Sequence, residues 1–337
     1  MPAPEPPPYT ITPAILSLVA EIAQALGRIG ALAPAGSVPK LRRDNRIRSI
    51  HASLSIENNS LTLDQVTAVI AGKRVLGPPK EIHEVENAFA AYDAMPTWTP
   101  SSVRDLLAAH RLMMQGLVSD AGRFRSRAVG IAQGKRIVHL APPADRVAGH
   151  MKNLLHWLKV TDAHPLISSC VFHYELEFIH PFADGNGRIG RLWQTLILSL
   201  WNPLFAFLPV ETVIRDQQAQ YYSTLATCDK AGNSTAFIEF LLQSLHTALR
   251  EAAASSTTGT KSALSEHQVS VLRHCLTASP LTALMELVGR SDRTKFRNQI
   301  LQPLLDAGYV EMTVPQKPNS RLQRYRLSPA GQVLLHE

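Results

Sequence analysis

Cysteine is scarce in this chain of 337 residues: Cys170, Cys228 and Cys275 are all there is, and they are widely scattered. An odd, dispersed set excludes a disulfide framework and offers no metal-ligand spacing, so each is expected to be a small buried hydrophobe. Long apolar runs are missing as well. None reaches the length of a membrane-spanning helix, so no membrane partner is expected. The opening MPAPEPPPYT has neither a basic start nor an apolar core. A secretory leader is therefore not expected, and a cytoplasmic, bacterial-type protein is. No repeat of fixed period is visible. Acids are fewer than bases, 27 against 34, for a net charge of +7, an excess that suits a nucleotide or nucleic-acid partner or else a solvated surface.

What is present is an ordinary folded composition, 45% hydrophobic and 18% charged, enough for a substantial core. The length predicts two or three modules. After a proline-rich start, apolar residues recur at helical intervals over 12–32, 40–56, 81–95 and 103–117. Strand-type alternation is confined to RFRSRAVGIAQGKRIVHLAPP, residues 123–143, which reads as a hairpin turning at Gln133-Gly134 and closed by Pro142 and Pro143. Residues 251–262, EAAASSTTGTKS, read as a linker. Beyond it come two short helices, one stopped by Gly289 and one capped by Ser291 and stopped by Gly308, then two alternating strands around PQKPNS. That is the order of a winged helix-turn-helix. The expected organisation is an N-terminal helical region over 1–100, a core over 101–250, the linker, and a winged helix over 263–337.

The sharpest signal is HPFADGNGRIGR, residues 180–191. Pro181 stops one apolar helix, and a second, IGRLWQTLILSLW, begins at its far end with Ile189, Leu192, Trp193, Leu196, Ile197 and Leu200 on its buried face. A helix N-terminus presents unpaired N–H groups and partial positive charge, so it attracts anions. Gly185 and Gly187 let those groups turn toward a phosphate. Arg188 and Arg191 share a face of the first turn and oppose the helix dipole, which is explained if they hold a polyanion. Asp184 is a hard oxygen ligand suited to Mg²⁺ (or Mn²⁺) bridging phosphates. His180 stands where it can take a proton from a hydroxyl. A plain glycine-rich connector would need none of this chemistry.

The stretch resembles the signature of the Fic family, His-x-Phe-x-(Asp/Glu)-Gly-Asn-Gly-Arg-x-x-Arg, with every fixed position matched. HRLMMQGL, the hairpin and Gln220–Leu225 fall where that family has similar segments, so the resemblance spans roughly residues 40–245. It implies a mainly helical core with a hairpin flap, and transfer of AMP from ATP to a Ser, Thr or Tyr hydroxyl of a protein, the enzyme itself included. By the resemblance, His180 is the general base and Asp184 holds the metal. Gly185, Asn186 and Gly187 form the anion hole, Arg188 meets the β-phosphate and Arg191 the γ-phosphate. Phe182 anchors the loop in the core. Tyr221 and Tyr222 are candidates for the adenine pocket, one of them expected to be core. Val129, Gly130 and Ile131 are candidates for docking a target segment by strand addition. Arg123, Arg125 and Arg127 are either substrate-facing or solvated.

A second motif lies far off in sequence. SLSIENN places Ser53 and Glu57 four apart on one helix face, with Asn58-Asn59 able to end the helix in a left-handed residue. Thr62 and Gln65 have capping-box spacing, and Leu61 and Val66 staple spacing. Ser53, Glu57 and Asn58 resemble the family's inhibitory motif, whose glutamate pairs with the second arginine, here Arg191. The resemblance therefore implies autoinhibition from within the chain. It also leaves open hydrolytic removal of AMP at the same site. In residues 263–337, Arg290, Arg293, Lys295, Arg297, Lys317, Arg321, Arg324 and Arg326 make the winged helix basic. DNA binding and docking of a protein, such as a second copy in a homodimer, remain open for it. So does a DNA-binding regulator with a nucleotide-sensing core, although pure sensing has no use for His180 as a base.

Overall fold

The computed structural model describes residues 6–32, 38–133, 136–262, 264–316, 320 and 322–336. It is mainly helical. The chain divides into two compact units, Met1–Ala25 with Arg43–Leu249, and Leu26–Arg42 with Arg250–Glu337.

The N-terminal helices are α1 (Pro13–Leu32), α2 (Val38–Ile56), α3 (Leu63–Ile70) and α4 (Pro79–Ala94). At the end of α2, Asn58 is left-handed at φ 66°. The Thr62 side chain caps α3, and Gln65 returns the bond to the cap N–H. Leu61 and Val66 beside that cap are both buried. Helix α5 (Val103–Met114) lies against α4, and Tyr92 of α4 donates to Glu211 Oε1 at 3.0 Å. Residues 43–100 thus share a unit with 101–249.

The hairpin is present as β1 (Gly130–Gln133) and β2 (Arg136–Leu140), antiparallel, with Gly130 opposite Leu140 and an irregularity between Ile131 and Ala132. Gly134 of the expected turn lies outside the described residues. Helices α6 (Ala144–Val160), α7 (Pro165–Ile179), α8 (Asn186–Trp201), α9 (Val210–Asp216), α10 (Gln218–Ala231) and α11 (Thr235–Ser262) follow.

Helix α8 runs through the core against α7. Ile189, Leu192, Trp193, Leu196 and Ile197 are buried as expected, each large side chain contributing about 1.5–3 kcal/mol. Trp193 settles its indole N–H on the Pro100 carbonyl at 2.9 Å. Leu200, expected on the same face, is 61% exposed, because the helix ends at Trp201. The three cysteines are buried, as expected, and burial pushes the thiols of Cys170 and Cys275 up to about 12. Residues 251–262 continue α11. Three alanines and no proline follow Glu251, and extending a formed helix is far cheaper than nucleating one.

The second unit carries α12 (Glu266–His274), β3 (Ser279–Pro280), α13 (Leu281–Leu287), α14 (Arg293–Phe296) running through a π-turn over Arg297–Leu301 into α15 (Gln302–Asp306), β4 (Val310–Met312), β5 (Arg324–Leu327) and α16 (Pro329–His336). The sheet order β3-β5-β4 completes a winged helix around Leu272, Leu284, Phe296, Leu301, Leu304 and Tyr325. Gly289 and Gly308 are left-handed stops, at φ 64° and 71°. The cap of α14 is Asp292, not Ser291: its carboxylate accepts the Lys295 N–H at 2.9 Å. The two-residue β3 and the final helix were not anticipated. Lys317 and Arg321 lie outside the described residues. Arg290, Arg293, Lys295, Arg324 and Arg326 are exposed and Arg297 is half-buried, but Arg326 is paired with Glu311 and Lys295 with Asp292. Among the described residues no helix is long and apolar enough to cross a membrane.

Candidate active site

Helix α7 ends at Ile179 because a residue before proline is driven out of the helical region. His180 instead turns left-handed, at φ 48° and ψ 61°, a conformation that costs a non-glycine residue about 1–3 kcal/mol. Arg125 holds the strained corner in place. Its guanidinium is buried and donates to the carbonyls of His180 at 2.7 Å, Pro142 at 2.6 Å, Arg127 at 2.9 Å and Ile179 at 3.3 Å. Arg125 is thus neither solvated nor substrate-facing. Arg123 and Arg127 are exposed.

The imidazole of His180 has its Nδ1 3.3 Å from the Glu177 carbonyl and 3.9 Å from the Glu177 carboxylate. A carbonyl only accepts, so Nδ1 carries the proton and Nε2 is the basic nitrogen. Phe182 is fully buried and stacks on His110 of α5, centroids 3.7 Å apart. Asn186 closes the loop on itself. Its Oδ1 accepts the Phe182 N–H and its Nδ2 donates to the Phe182 carbonyl, both at 2.9 Å. Its side chain is therefore committed to the loop, and its backbone N–H is what it can offer an anion. Gly185 is left-handed at φ 85°, and a Cβ there would come within 2.7 Å of Met114 Sδ, so only glycine suits both backbone and space.

Arg188 and Arg191 emerge from the first two turns of α8 into nearly dry surroundings, 4% and 2% exposed. Arg188 reaches Asp184 Oδ1 at 3.1 Å and Glu84 Oε1 at 3.5 Å. Arg191 is clasped by α2 and the residue that follows it: Nε donates to Ser53 Oγ at 3.0 Å, and Nη2 to the Ser53 carbonyl at 3.0 Å and to Glu57 Oε1 at 2.8 Å. Burial is the largest single influence on Arg191 and disfavours its charge, but the Glu57 carboxylate, with Tyr221 and Glu177, together outweighs it and the pKa is raised. Even so, Arg188 Nε and Arg191 Nη1 are buried without a hydrogen-bond partner. A buried unpaired donor costs about 1–3 kcal/mol, more when charged, and an anion in the cradle would recover it.

Asp184 sits at the rim with a half-exposed carboxylate that also accepts the Gly185 N–H at 2.6 Å. Among the described residues no cluster of three or more His, Cys, Asp or Glu could hold a metal. One hard-oxygen carboxylate beside an anion cradle fits Mg²⁺, which takes one or two carboxylates plus substrate phosphates.

Tyr221 is core: it is 1% exposed, with its hydroxyl 3.1 Å from His173 Nε2. Tyr222 is 42% exposed. Its ring meets Tyr221 edge-on, centroids 5.2 Å apart, and its hydroxyl pKa is pushed up to about 12 by burial and then by the Glu57 charge. Val129 is half-buried just before β1, and of Gly130 and Ile131 the structure describes only the backbone pairing. Sequence reasoning missed Glu84, His110, Asn59 and Glu177. Asn59 donates to Glu84 Oε2 at 2.9 Å, tying the end of the Ser53–Glu57 segment to the partner of Arg188. The contacts of Glu84, His110 and Asn59 bridge distant segments, which no local spacing announces, whereas Glu177 lies three residues before His180. His110, inside HRLMMQGL, and Asn59, at the helix end, had a signal, but only as part of a segment and as a helix stop.

The Fic/DOC family model matches residues 100–198, and the model described as the filamentation induced by cAMP protein Fic-like, C-terminal domain matches residues 267–328. A protein adenylyltransferase Fic of Nematostella vectensis is 29% identical over 222 residues, 62% of this chain and 49% of its own length. The protein adenylyltransferase fic-1 of Caenorhabditis elegans is 27% identical over 215 residues, 60% of this chain and 40% of its own length. The chain thus spans less than half the length of these curated relatives. A crystal structure of a Fic family protein from Desulfovibrio desulfuricans G20 is 54% identical, with a TM-score of 0.74 over 96% of this chain and 99% of that one. The structure of C. elegans Fic-1 residues 134–508, at 22% identity, superposes with a TM-score of 0.63 over 73% of each chain and shares the fold.

Proposed function

The chain belongs to the Fic family, and on that premise we propose that it is a protein adenylyltransferase. It moves AMP from ATP to a Ser, Thr or Tyr hydroxyl of a protein, itself included, and is held in check by Glu57. The observation that carries this reading is the conjunction at the start of α8. Two buried arginines with unpaired donors and a glycine-lined helix N-terminus lie beside a histidine whose Nε2 is the basic nitrogen.

In this reading the α- and β-phosphates lie on the N–H groups of Gly185, Asn186 and Gly187, where donors are preorganised and need no rearrangement as charge builds. Arg188 takes the β-phosphate and Arg191 the γ-phosphate. The target hydroxyl attacks the α-phosphorus while His180 Nε2 takes its proton, and pyrophosphate leaves. The Glu177 carboxylate, 3.9 Å from Nδ1, stabilises the imidazolium so formed. Mg²⁺ on Asp184 would neutralise phosphate charge when bound. Glu57 occupies the place of the γ-phosphate on Arg191, so ATP must compete with it. That Glu57 remains partly exposed at the loop also favours a second reading, in which it orients a water that removes AMP from a modified protein.

The test is labelled ATP, with the label at the α- or the γ-phosphate, offered to wild type, Glu57→Gly and His180→Ala. The α-label is expected on protein, rising in Glu57→Gly and absent in His180→Ala. Transfer of γ-label would mean a kinase-like reaction and defeat the proposal. Loss of AMP from pre-modified protein, without transfer, would favour the hydrolase.

A further inference from the structure

His110 of α5 lies behind the phosphate loop with both ring nitrogens engaged by backbone. Nδ1 is 2.8 Å from the Gly122 amide nitrogen and Nε2 is 3.0 Å from the Asp184 carbonyl oxygen. A backbone amide only donates and a carbonyl only accepts. Nδ1 is therefore bare and Nε2 carries the proton, and a neutral ring has one tautomer that satisfies both. Its plane is fixed by Phe182, stacked within 4° of parallel.

The consequence falls on the next peptide. No peptide bond among the described residues is cis, and in a planar trans peptide the carbonyl and the N–H point in opposite directions. Holding the Asp184 carbonyl toward His110 aims the Gly185 N–H the other way. There it meets Asp184 Oδ1 at 2.6 Å, the same oxygen that receives Arg188 Nη2. That is the side on which the phosphates are expected. Gly185 is at φ 85°, and glycine permits the flipped peptide at little steric cost. The first bond of the α8 ladder is Ile189 N–H to the Gly185 carbonyl, so the ladder leaves the Asp184 carbonyl to His110. The residue that opens the loop to a phosphate is thus also the one that lets its amide turn away.

We propose that His110 is a positioning residue that locks the Asp184–Gly185 peptide with its N–H toward the nucleotide phosphates. This rests on the nucleotide site argued above. His110 touches no reacting atom.

The experiment uses the full chain with Glu57→Gly as parent, so that the site is open. His110→Phe keeps a flat ring against Phe182 and loses both hydrogen bonds. His110→Gln restores a donor near the position of Nε2. Melting temperature, ATP affinity by calorimetry with Mg²⁺ present, and kcat and KM for AMP transfer are measured on each. A ¹⁵N-histidine NMR spectrum of the parent is compared with that of His110→Phe.

The parent spectrum is expected to contain a neutral ring, bare at Nδ1, that vanishes in His110→Phe. His110→Phe is expected to bind ATP about tenfold more weakly, with kcat down about 10- to 100-fold, less than the roughly 100- to 1000-fold of removing an anion-hole donor outright because the amide is misaimed rather than lost. His110→Gln should recover most of both while melting no higher than His110→Phe. An Nδ1–H tautomer for His110 overturns the proposal. So does a His110→Phe protein with the affinity and kcat of the parent, whatever its melting temperature. A parent that neither binds ATP nor transfers AMP overturns the nucleotide reading, and this proposal with it. If His110→Phe does not fold, the tautomer and the His110→Gln kinetics decide.

Discussion

Arg191 is held at three points of unequal strength. The bond from Nε to Ser53 Oγ is neutral on the acceptor side, as is the bond from Nη2 to the Ser53 carbonyl, and Glu57 supplies the one carboxylate. All three bonds share the charged guanidinium, and a hydrogen bond to a charged group contributes about 1.5–3 kcal/mol, the neutral acceptors at the low end and the carboxylate at the high end. If these contacts compete with the γ-phosphate, their removal should raise AMP transfer in that order. Ser53→Ala is expected to raise it about tenfold, and Glu57→Gly about 100-fold. Glu57→Gln, which keeps a polar acceptor and loses the charge, should fall between. Initial rates with α-labelled ATP at sub-saturating concentration would read the series, and a flat series would separate Glu57 from inhibition. The clasp itself is legible in the sequence, because Ser53 and Glu57 are four apart on one face. Its destination, Arg191, more than 130 residues away, came only through resemblance to a known motif. Glu84 had no such help, and His110 only as one letter of HRLMMQGL, since a contact between distant segments leaves no trace in local periodicity.

At the scale of an element, what matters is where α2 stops. Glu57 follows its last residue, and Asn58 turns the chain left-handed at φ 66° so that Asn59 can donate to Glu84. Asparagine tolerates that conformation and glycine adopts it freely. Asn58→Gly is therefore expected to leave both stability and inhibition nearly unchanged. Asn58→Val should cost about 1–2 kcal/mol at that residue and, by shifting the helix end, raise basal AMP transfer. Melting curves and transfer rates on the same samples would check it, and an Asn58→Val protein as inhibited as wild type would refute it. Helix ends of this kind were readable where a side chain dictates them: the Thr62 cap, the Gly289 and Gly308 stops, the Pro181 break. They were misread where two residues compete, as at Ser291 and Asp292, because both are good caps and only geometry decides which oxygen reaches the Lys295 N–H. At 251–262 small polar residues suggested a linker, and what composition did not announce is that helix α11 carries on through it.

Across the whole first unit, stability is linked to pH through buried histidines. His173 has no exposed surface. Its Nδ1 meets Gln194 Oε1 at 2.8 Å and its Nε2 meets the Tyr221 hydroxyl at 3.1 Å. Burial lowers its pKa from 6.5 to about 3, against a smaller opposing effect of Gln194. Between those values the unfolded chain binds a proton that the folded chain does not, so acidification favours unfolding, by up to about 1.4 kcal/mol per pH unit. His110, also lowered by burial, acts in the same sense. Glu175, raised to about 7, and Glu211, also raised, act in the opposite sense, since their folded forms take up protons first. The sign of the total therefore does not isolate any one group, but a difference between two proteins does. His173→Asn keeps a donor for Gln194 and does not titrate. It should be less stable than wild type at pH 7, having lost the acceptor for Tyr221, and the gap should shrink by about 2 kcal/mol at pH 5. Trp98, Trp157, Trp193 and Trp201 are the only tryptophans, and all lie in the first unit, so urea unfolding followed by tryptophan fluorescence reads that unit alone. Parallel stability curves for the two proteins would mean that His173 takes up its proton in the folded state as readily as in the unfolded chain, and that the network behind Arg191 is wired differently.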